Sequence, residues 1–320
     1  GEGAFGICPL VEEMPVPRSV KKIDGFPFAL CSSLKAFKMV GSGNGNYTVM
    51  HDMLISTDET VICYPPLKEG SCCDVRGAKG IAQGAFRGCI NLEEIVVNSS
   101  SLEPMIIEGG AFCECRNLKT VTGFESTNPT LDMTFDGCEK LTSIELPTTV
   151  EEIGGGTFRN CKSLTGDLII PNNVKTIGTN AYEGCTGFDG ELKLGDNLKT
   201  IGEYAFMGCS NLDGSLVIPD AVENIGYMAF KGCTKILEGN ELRLGKGLKQ
   251  IGYRAFDASS DDNTIMDSSF RKIYCSATIP PTIDTSCLSC EQLIVPKGCL
   301  EAYRNSEWNN ISRNNIIEEN

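Results

Sequence analysis

Residues 201–212 read Ile-Gly-Glu-Tyr-Ala-Phe-Met-Gly-Cys-Ser-Asn-Leu, and versions of this stretch recur along the chain. The part that varies least is an aromatic residue followed three positions later by cysteine. The matching pairs are Phe5/Cys8, Phe28/Cys31, Phe86/Cys89, Phe112/Cys115, Phe135/Cys138, Phe158/Cys161, Tyr182/Cys185, Phe206/Cys209 and Phe230/Cys233. From Phe86 to Phe230 the aromatic residues are 26, 23, 23, 24, 24 and 24 positions apart. A period of this length predicts a solenoid, in which each repeat forms one turn of a coil.

Each repeat also contains a short run of alternating apolar residues, such as Leu216-Val217-Ile218-Pro219. Alternation with a period of two predicts a β-strand with one buried face. Pro219 ends the run because proline cannot donate a hydrogen bond to a sheet ladder. One turn cannot bury its own apolar side, so successive turns are expected to stack with their strands in parallel.

The stretch 201–212 resembles the BspA-like leucine-rich repeat family, whose pattern is Ile-Gly-x-x-Ala-Phe-x-x-Cys-x-x-Leu followed by a Leu-Pro strand end. The resemblance covers about residues 1–257, and the end of the chain is similar to members from gut Bacteroidetes. It implies a repeat solenoid that is leucine-rich-repeat-like, mostly β with short turns and little helix, with right-handed stacked turns and a C-terminal cap. It also implies export to a cell surface and binding of proteins or host surfaces.

The repeat pattern predicts a solenoid over residues 1–270 with one interruption. Phe28 and Phe86 are 58 positions apart, and the excess length predicts a β-hairpin insertion at about 42–70. Residues 271–320 are expected to form a cap of strands and a short helix from Leu300 to Trp308, with Leu300, Tyr303 and Trp308 turned inward. A cap is expected because an open solenoid end exposes apolar core and unpaired strand edges.

The chain has 17 cysteines, and nine of them belong to the repeat. Equivalent positions on stacked turns are too far apart for the geometry of a disulfide, so these nine are predicted to be buried free thiols. The other eight are Cys63, Cys72, Cys73, Cys113, Cys275, Cys287, Cys290 and Cys299. Cys287-x-x-Cys290 leaves three interpretations open, namely free thiols, a disulfide within the cap, or a zinc site; free thiols are favoured and no metal is expected.

Charge and composition exclude several classes of protein. The formal net charge is −14, from 28 Lys and Arg against 42 Asp and Glu, which disfavours nucleic acid as a partner. No stretch has the roughly 20 apolar residues of a membrane-spanning helix. Because Gly1–Phe5 begins within a repeat, any export signal is expected to precede Gly1. A monomer outside the cell or at its surface is the expected form.

No catalytic residue and no cofactor are predicted. His51 is the single histidine, so a Ser-His or Cys-His pair would have to use it. Carboxylates adjacent in sequence, such as Glu151-Glu152, point to opposite faces of a strand and are poor acid/base partners. A carbohydrate-active enzyme is therefore the least favoured function. A deep pocket with two converging carboxylates would change that ranking.

Outward-facing strand positions are the predicted binding residues, because the repeat varies there. This column is chemically mixed, as a protein-recognition surface is, and consists of Glu145, Ile169, Lys193, Val217 and Arg243. A second outward row comprises Glu152, Thr176, Thr200, Asn224 and Gln250. The favoured function is a non-catalytic exported cell-surface protein that binds a protein or host-matrix partner. A stalk or spacer that displays another domain is the alternative.

Overall fold

The structure is a computed structural model that describes residues 8–23, 28, 31–97, 103–238, 241–259, 268–283, 288–312 and 315–319. Phe5 of the first repeat and Cys287 of the Cys-x-x-Cys pair lie outside these ranges. The chain divides into two compact units. Unit 1 is Gly1–Val150 with Thr157–Cys161, and unit 2 is Glu151–Gly156 with Lys162–Asn320. Each unit is built from short strands stacked turn on turn with little helix, which confirms the predicted solenoid fold.

Unit 1 consists of short strands joined by turns. Its strands are β1 (Glu13–Pro17), β2 (Ala36–Val40), β3 (Tyr47–Met50), β4 (Met53–Ser56), β5 (Thr60–Cys63), β6 (Cys72–Asp74), β7 (Gly80–Ile81), β8 (Glu94–Val96), β9 (Ile106–Ile107), β10 (Thr120–Thr122) and β11 (Asn128–Pro129). A 3₁₀ turn covers Phe124–Ser126. Parallel pairing joins β1 to β2, β6 to β8 to β10, and β5 to β7 to β9 to β11.

Antiparallel strands interrupt this parallel order within the 42–70 segment. Strand β3 pairs antiparallel with β4, and β4 pairs antiparallel with β5. His51 and Asp52, between β3 and β4, have φ of 50° and 65°. Two residues with positive φ are what a type I′ hairpin turn requires, and the hand of this turn matches the twist of the strands. Because β5 also pairs with β7, the hairpin is joined edge to edge with the parallel turns of unit 1.

Unit 2 keeps a regular pattern. Its strands are β12 (Glu152–Ile153), β13 (Leu168–Ile169), β14 (Thr176–Ile177), β15 (Leu192–Lys193), β16 (Thr200–Ile201), β17 (Leu216–Ile218), β18 (Asn224–Ile225), β19 (Glu241–Leu244), β20 (Gln250–Ile251), β21 (Ser268–Cys275), β22 (Thr282–Ile283), β23 (Leu288–Val295) and β24 (Ile316–Glu318). Its helices are α1 (Thr234–Leu237), α2 (Leu300–Arg304) and α3 (Trp308–Ile311). The pairings described for this unit are all parallel.

Successive turns of unit 2 contribute strands to two rows. One row is the sheet β12-β14-β16-β18-β20-β22, and the other comprises the sheets β13-β15 and β17-β19-β21-β23-β24. Both rows continue into residues 271–320, where β21, β22, β23 and β24 pair in register with the preceding turns. Tyr303 and Trp308 are fully buried there, as predicted, whereas Leu300 is half-buried. The polar atoms of the two buried side chains are satisfied, since the Tyr303 hydroxyl donates to the Ala277 carbonyl (2.7 Å) and the Trp308 Nε1–H donates to the Pro281 carbonyl (2.8 Å). The single helix expected over these residues is two short helices, α2 and α3.

The repeated aromatic residues form a column in the core of each unit. In unit 2 the ring centroids of Phe206 and Phe230 are 5.2 Å apart, and those of Phe230 and Phe256 are 5.6 Å apart, with nearly parallel planes. Phe112 and Phe135 make the same contact in unit 1 at 5.4 Å. These are ordinary separations for stacked rings, and each buried ring removes a large apolar area from water.

The repeated cysteines add a hydrogen bond between turns. The Cys115 thiol donates to the Phe86 carbonyl (2.9 Å) in unit 1, and the Cys233 thiol donates to the Phe206 carbonyl (3.0 Å) in unit 2. Eight of the nine repeat cysteines are buried and Cys8 is half-buried. The predicted inward orientation is therefore confirmed for the eight, and all nine are free thiols in the structure.

A column of glycines lets the backbones of successive turns approach closely in unit 2. A Cβ placed on Gly226 would lie 2.5 Å from both the Glu203 nitrogen and the Gly202 carbonyl carbon. A Cβ on Gly202 would similarly lie 2.6 Å from the carbonyl carbon of Gly178. Because real side chains do not occupy such space, the packing of successive turns requires glycine directly after the isoleucine at this position of the repeat.

Replacing Cys115 by alanine is expected to destabilise unit 1 by about 1–3 kcal/mol, because a void replaces the sulfur and the hydrogen bond to Phe86 is lost. Cys72, in the same unit, is exposed and serves as the matched control. Cys72→Ala should change the free energy of unfolding by less than about 0.5 kcal/mol. Urea unfolding followed by circular dichroism measures both variants. Equal urea midpoints for the two would show that the buried thiol does not stabilise the turn.

Replacing Gly226 by alanine is expected to destabilise unit 2 by at least about 3 kcal/mol, because the new methyl group meets backbone atoms that cannot move independently. Gly166 is the control, since its φ is 80° but a Cβ there meets nothing within 4 Å. Gly166→Ala should cost about 1–2 kcal/mol from the left-handed backbone alone. Thermal unfolding of the two variants separates steric overlap from backbone strain. A Gly226→Ala protein as stable as the control would contradict the close approach.

Candidate functional site

The predicted outward column lies on the second row of strands in unit 2. Leu168 and Ile170 are 4% and 2% exposed, whereas Ile169 between them is 61% exposed. This confirms the alternation that assigned Ile169 to the surface. Ile169 is in register with Lys193 on the next strand, and Val217 is in register with Arg243. Val217 is 47% exposed, so two apolar side chains of this face are open to solvent.

Glu145, the fifth predicted residue, lies in unit 1 rather than unit 2. Its side chain is exposed, but residues 144–147 do not form the strand that their Ile-Glu-Leu-Pro pattern predicts. On the N-terminal side of this segment, the Thr142 N–H donates to the Lys119 carbonyl of the preceding turn at 3.2 Å. Residues 144–147 are not part of a sheet.

Lys193 is held by two acidic neighbours on the same face. Its Nζ lies 2.5 Å from Asp167 Oδ2 and 3.5 Å from Glu191 Oε2. The hydrogen bond with Asp167 raises the pKa of the Lys193 ammonium and lowers the pKa of the Asp167 carboxyl. All three groups are solvent-exposed, so this arrangement orients the lysine more than it stabilises the fold.

Arg243 is the most organised residue of the face. Its guanidinium carbon lies 4.1 Å from the centre of the Tyr274 ring, which is a cation–π contact. Its Nη2 lies 3.1 Å from Glu241 Oε2, and the other oxygen of Glu241 lies 3.0 Å from Arg271 Nη2. Tyr274 is in register with Arg243 across β19 and β21. An aromatic ring, two arginines and a carboxylate therefore meet at one place.

Sequence reasoning missed Tyr274, Glu241, Arg271 and Asp167 as parts of this face. The strand that contains Ile273, Tyr274 and Cys275 was expected to belong to the cap and not to the row of strands that carries Arg243. The turn that links Leu242 to Ile273 spans 31 positions, longer than the 23 to 26 of the regular repeat, so the periodic alignment ends before it. The alternation of Ile273, Tyr274 and Cys275 in the sequence would have placed Tyr274 outward, although not beside Arg243.

We define the binding face as Ile169, Lys193, Val217, Arg243 and Tyr274. The second outward row is also present, because Glu152, Thr176, Thr200, Asn224 and Gln250 are in register along the β12–β22 sheet and each is at least partly exposed. Three tyrosines form a further outward ladder in unit 2. Tyr204 and Tyr227 have ring centroids 5.2 Å apart, and Tyr227 and Tyr253 stack at 5.9 Å.

The cysteine and histidine side chains that nucleophilic catalysis would require have different surroundings. Burial raises the pKa of the Cys209 thiol to about 12 and that of Cys113 to about 11, so both are protonated at neutral pH. His51 lies on the exposed hairpin turn. Within the described ranges, no set of three or more His, Cys, Asp or Glu side chains is arranged to hold a metal ion. The helices of the same ranges lack the length and apolar character that crossing a bilayer requires.

A comparison with protein families identifies the repeat. The family described as BspA type leucine rich repeat region matches the chain in six copies, over residues 1–48, 79–213 and 199–295. These ranges cover more than half of the chain and include the strands of the binding face up to Tyr274 and beyond. A comparison with curated proteins finds no match.

A comparison with solved structures finds bacterial leucine-rich repeat proteins that are similar to this chain. A protein from Bacteroides ovatus is 20% identical with a TM-score of 0.54, covering 78% of this chain and 69% of that one. One from T. pallidum is 24% identical with a TM-score of 0.44, covering 57% and 81%. One from Eubacterium ventriosum is 18% identical with a TM-score of 0.46, covering 78% and 59%. The first of these likenesses establishes a common fold.

Proposed function

Since the chain belongs to the BspA-type leucine-rich repeat family, we propose that it is an exported, non-catalytic cell-surface protein that binds a protein or host-matrix partner through the binding face of unit 2. A fold does not fix a function, so the proposal depends on the face itself. The observation that carries it is the organised Arg243–Tyr274 contact in register with exposed Val217. Arginine and tyrosine are enriched at the centres of protein interfaces.

The apolar residues of the face supply the driving force. Ile169 and Val217 are 61% and 47% exposed, and covering them with a partner would remove apolar surface from water. Hydrogen bonds between the strands fix their positions, since Leu168 N–H and Ile170 N–H donate to the Glu191 and Lys193 carbonyls at 2.9 and 2.8 Å. A rigid platform loses little conformational entropy when a partner binds.

The charged residues of the face are better suited to recognising a particular partner than to attracting a charged one from a distance. Lys193 and Arg243 each already pair with a carboxylate of the same face. Local neutralisation weakens the steering of a charged partner, but the guanidinium of Arg243 keeps further N–H donors for a partner's acceptors. The ring of Tyr274 and the carboxylate of Glu241 hold that guanidinium in one orientation, which reduces the cost of ordering it on binding.

Membership of the family supports the proposed surface location, because proteins of this family are typically associated with cell surfaces. A matrix protein is the first class of partner to test, because the resemblance to the family implies binding of proteins or host surfaces.

Val217→Asp and Arg243→Glu are expected to weaken binding to an immobilised matrix protein at least tenfold. The first places a charge in the apolar patch, and the second removes the oriented guanidinium. Collagen, laminin and fibronectin, each purified, are the partners to immobilise, and biolayer interferometry measures the affinity. Thr200→Asp and Lys249→Glu carry the same charge changes at a partly exposed and an exposed position of unit 2 outside the binding face, and they should change the affinity less than twofold.

Circular dichroism establishes that each variant is folded before its binding is measured. Equal affinities for all four variants would place the interface elsewhere on the molecule. Failure of the unsubstituted protein to bind any of the three matrix proteins would contradict a matrix partner and favour a spacer that displays another domain.

A further inference from the structure

A polar cleft of about 320 Å³ lies in unit 1, beside the hairpin. Its lining residues come from the 22–23 loop, from strands β3, β4 and β5 and the turn between the last two, and from the segments that follow β7 and β9. They are Lys22, Ile23, Tyr47, Ser56, Asp58, Thr60, Ile62, Ala82, Gln83 and Glu108. The volume is at the lower end of the range for small-molecule sites, about 300–1,000 Å³.

The cleft exists because the inserted strands bring a turn against the regular repeat. The Lys79 N–H donates to the Glu59 carbonyl and the Ala82 N–H donates to the Val61 carbonyl, both at 2.9 Å. These bonds hold the turn between β4 and β5 beside residues 79–83. Backbone hydrogen bonds thus fix this side of the cleft.

Two carboxylates in the cleft are oriented by the protein. Asp58 accepts a hydrogen bond from the Ser56 hydroxyl, and this bond lowers the pKa of the Asp58 carboxyl, so the group is ionised at neutral pH. Glu108 Oε2 accepts a hydrogen bond from the Gln83 N–H at 2.8 Å. A carboxylate has about four acceptor sites, so each of them can accept further hydrogen bonds from a ligand.

Donors line the same cleft. The Tyr47 hydroxyl accepts a hydrogen bond from the Ile23 N–H at 2.7 Å, and a phenol that accepts in this way still has its own proton to donate. Lys22 contributes an ammonium group, and Gln83 contributes a side-chain amide. The apolar part of the lining comes from Ile23, Ile62 and Ala82.

The mixture of groups selects a class of ligand. A site that matches a cation presents acceptors only, and a site that matches an anion presents donors only. This cleft presents two carboxylates together with the Lys22 ammonium, the Tyr47 hydroxyl and the Gln83 amide within the volume of one small molecule. A sugar hydroxyl both donates and accepts, and the C–H face of a sugar ring packs on aliphatic side chains. We infer that the cleft binds a single neutral sugar ring, through hydrogen bonds to Asp58 and Glu108.

The same geometry favours binding over hydrolysis. A glycosidase needs one carboxyl group whose pKa is raised so that it can donate a proton to the leaving oxygen. The hydroxyl of Ser56 has the opposite effect on Asp58. Asp58 is therefore suited to accept hydrogen bonds from sugar hydroxyls and not to protonate a leaving oxygen.

Saturation-transfer difference NMR of the full chain tests the inference with the methyl glycosides of glucose, galactose, mannose and N-acetylglucosamine. At least one of them should receive saturation, and Asp58→Asn and Glu108→Gln should each raise its Kd at least tenfold. Asp74→Asn and Glu125→Gln are the matched controls, because these carboxylates are exposed in unit 1 outside the cleft. Both controls should leave the Kd unchanged.

Further measurements separate the source of the sugar from the alternatives. An oligosaccharide that ends in the preferred ring should receive saturation on that ring alone if the cleft takes the end of a glycan, whereas binding of the methyl glycoside only would point to a free sugar.

Silence of all four glycosides overturns the inference, as does equal binding by the cleft variants and the controls. Binding of Nα-acetyl-lysine methylamide instead of a sugar also overturns it. Val217→Asp, in unit 2, should leave sugar binding intact, so this result is independent of the protein partner.

Discussion

One carbonyl group in each regular turn determines much of the structure. The Phe206 carbonyl accepts the Cys209 N–H of its own turn at 3.1 Å and the Cys233 thiol of the next turn at 3.0 Å. The first bond closes the bend after the aromatic residue, and the second ties that bend to its neighbour. A side chain that is small, apolar and still a weak donor meets both demands, which explains why cysteine occupies the position. The stacked rings and the parallel strands follow from the register that this contact sets.

The interior of the molecule could be predicted from its sequence because it repeats. Ile169 was placed outward and the repeat cysteines inward from a period of two within strands and about 24 between turns. Tyr274 could not be placed beside Arg243, because the turn between them has a different length and shifts the alignment. The cleft was beyond prediction for another reason. Lys22, Asp58, Gln83 and Glu108 meet only through pairing between an inserted strand and a regular one, and no period relates their positions.

The two proposed sites use the constant interior in different ways. The binding face of unit 2 uses the regularity directly, since each turn adds one outward side chain at a fixed spacing. The cleft of unit 1 uses a departure from regularity, because the antiparallel strands place the turn between β4 and β5 beside residues 79–83. Neither site requires a change in the core. New surface chemistry can therefore arise in such a chain at little cost to the fold.

The buried thiols make the transient opening of each turn detectable by chemical labelling. A thiol reacts with an alkylating agent only as the thiolate, and burial holds the pKa of Cys209 near 12. The label therefore enters a turn in proportion to the time that the turn spends open to water. Because the thiols are spaced one per turn, the pattern of labelled peptides after a short exposure would map local unfolding along the coil. The turns that unfold first could thereby be identified with the native cysteines, without an introduced probe.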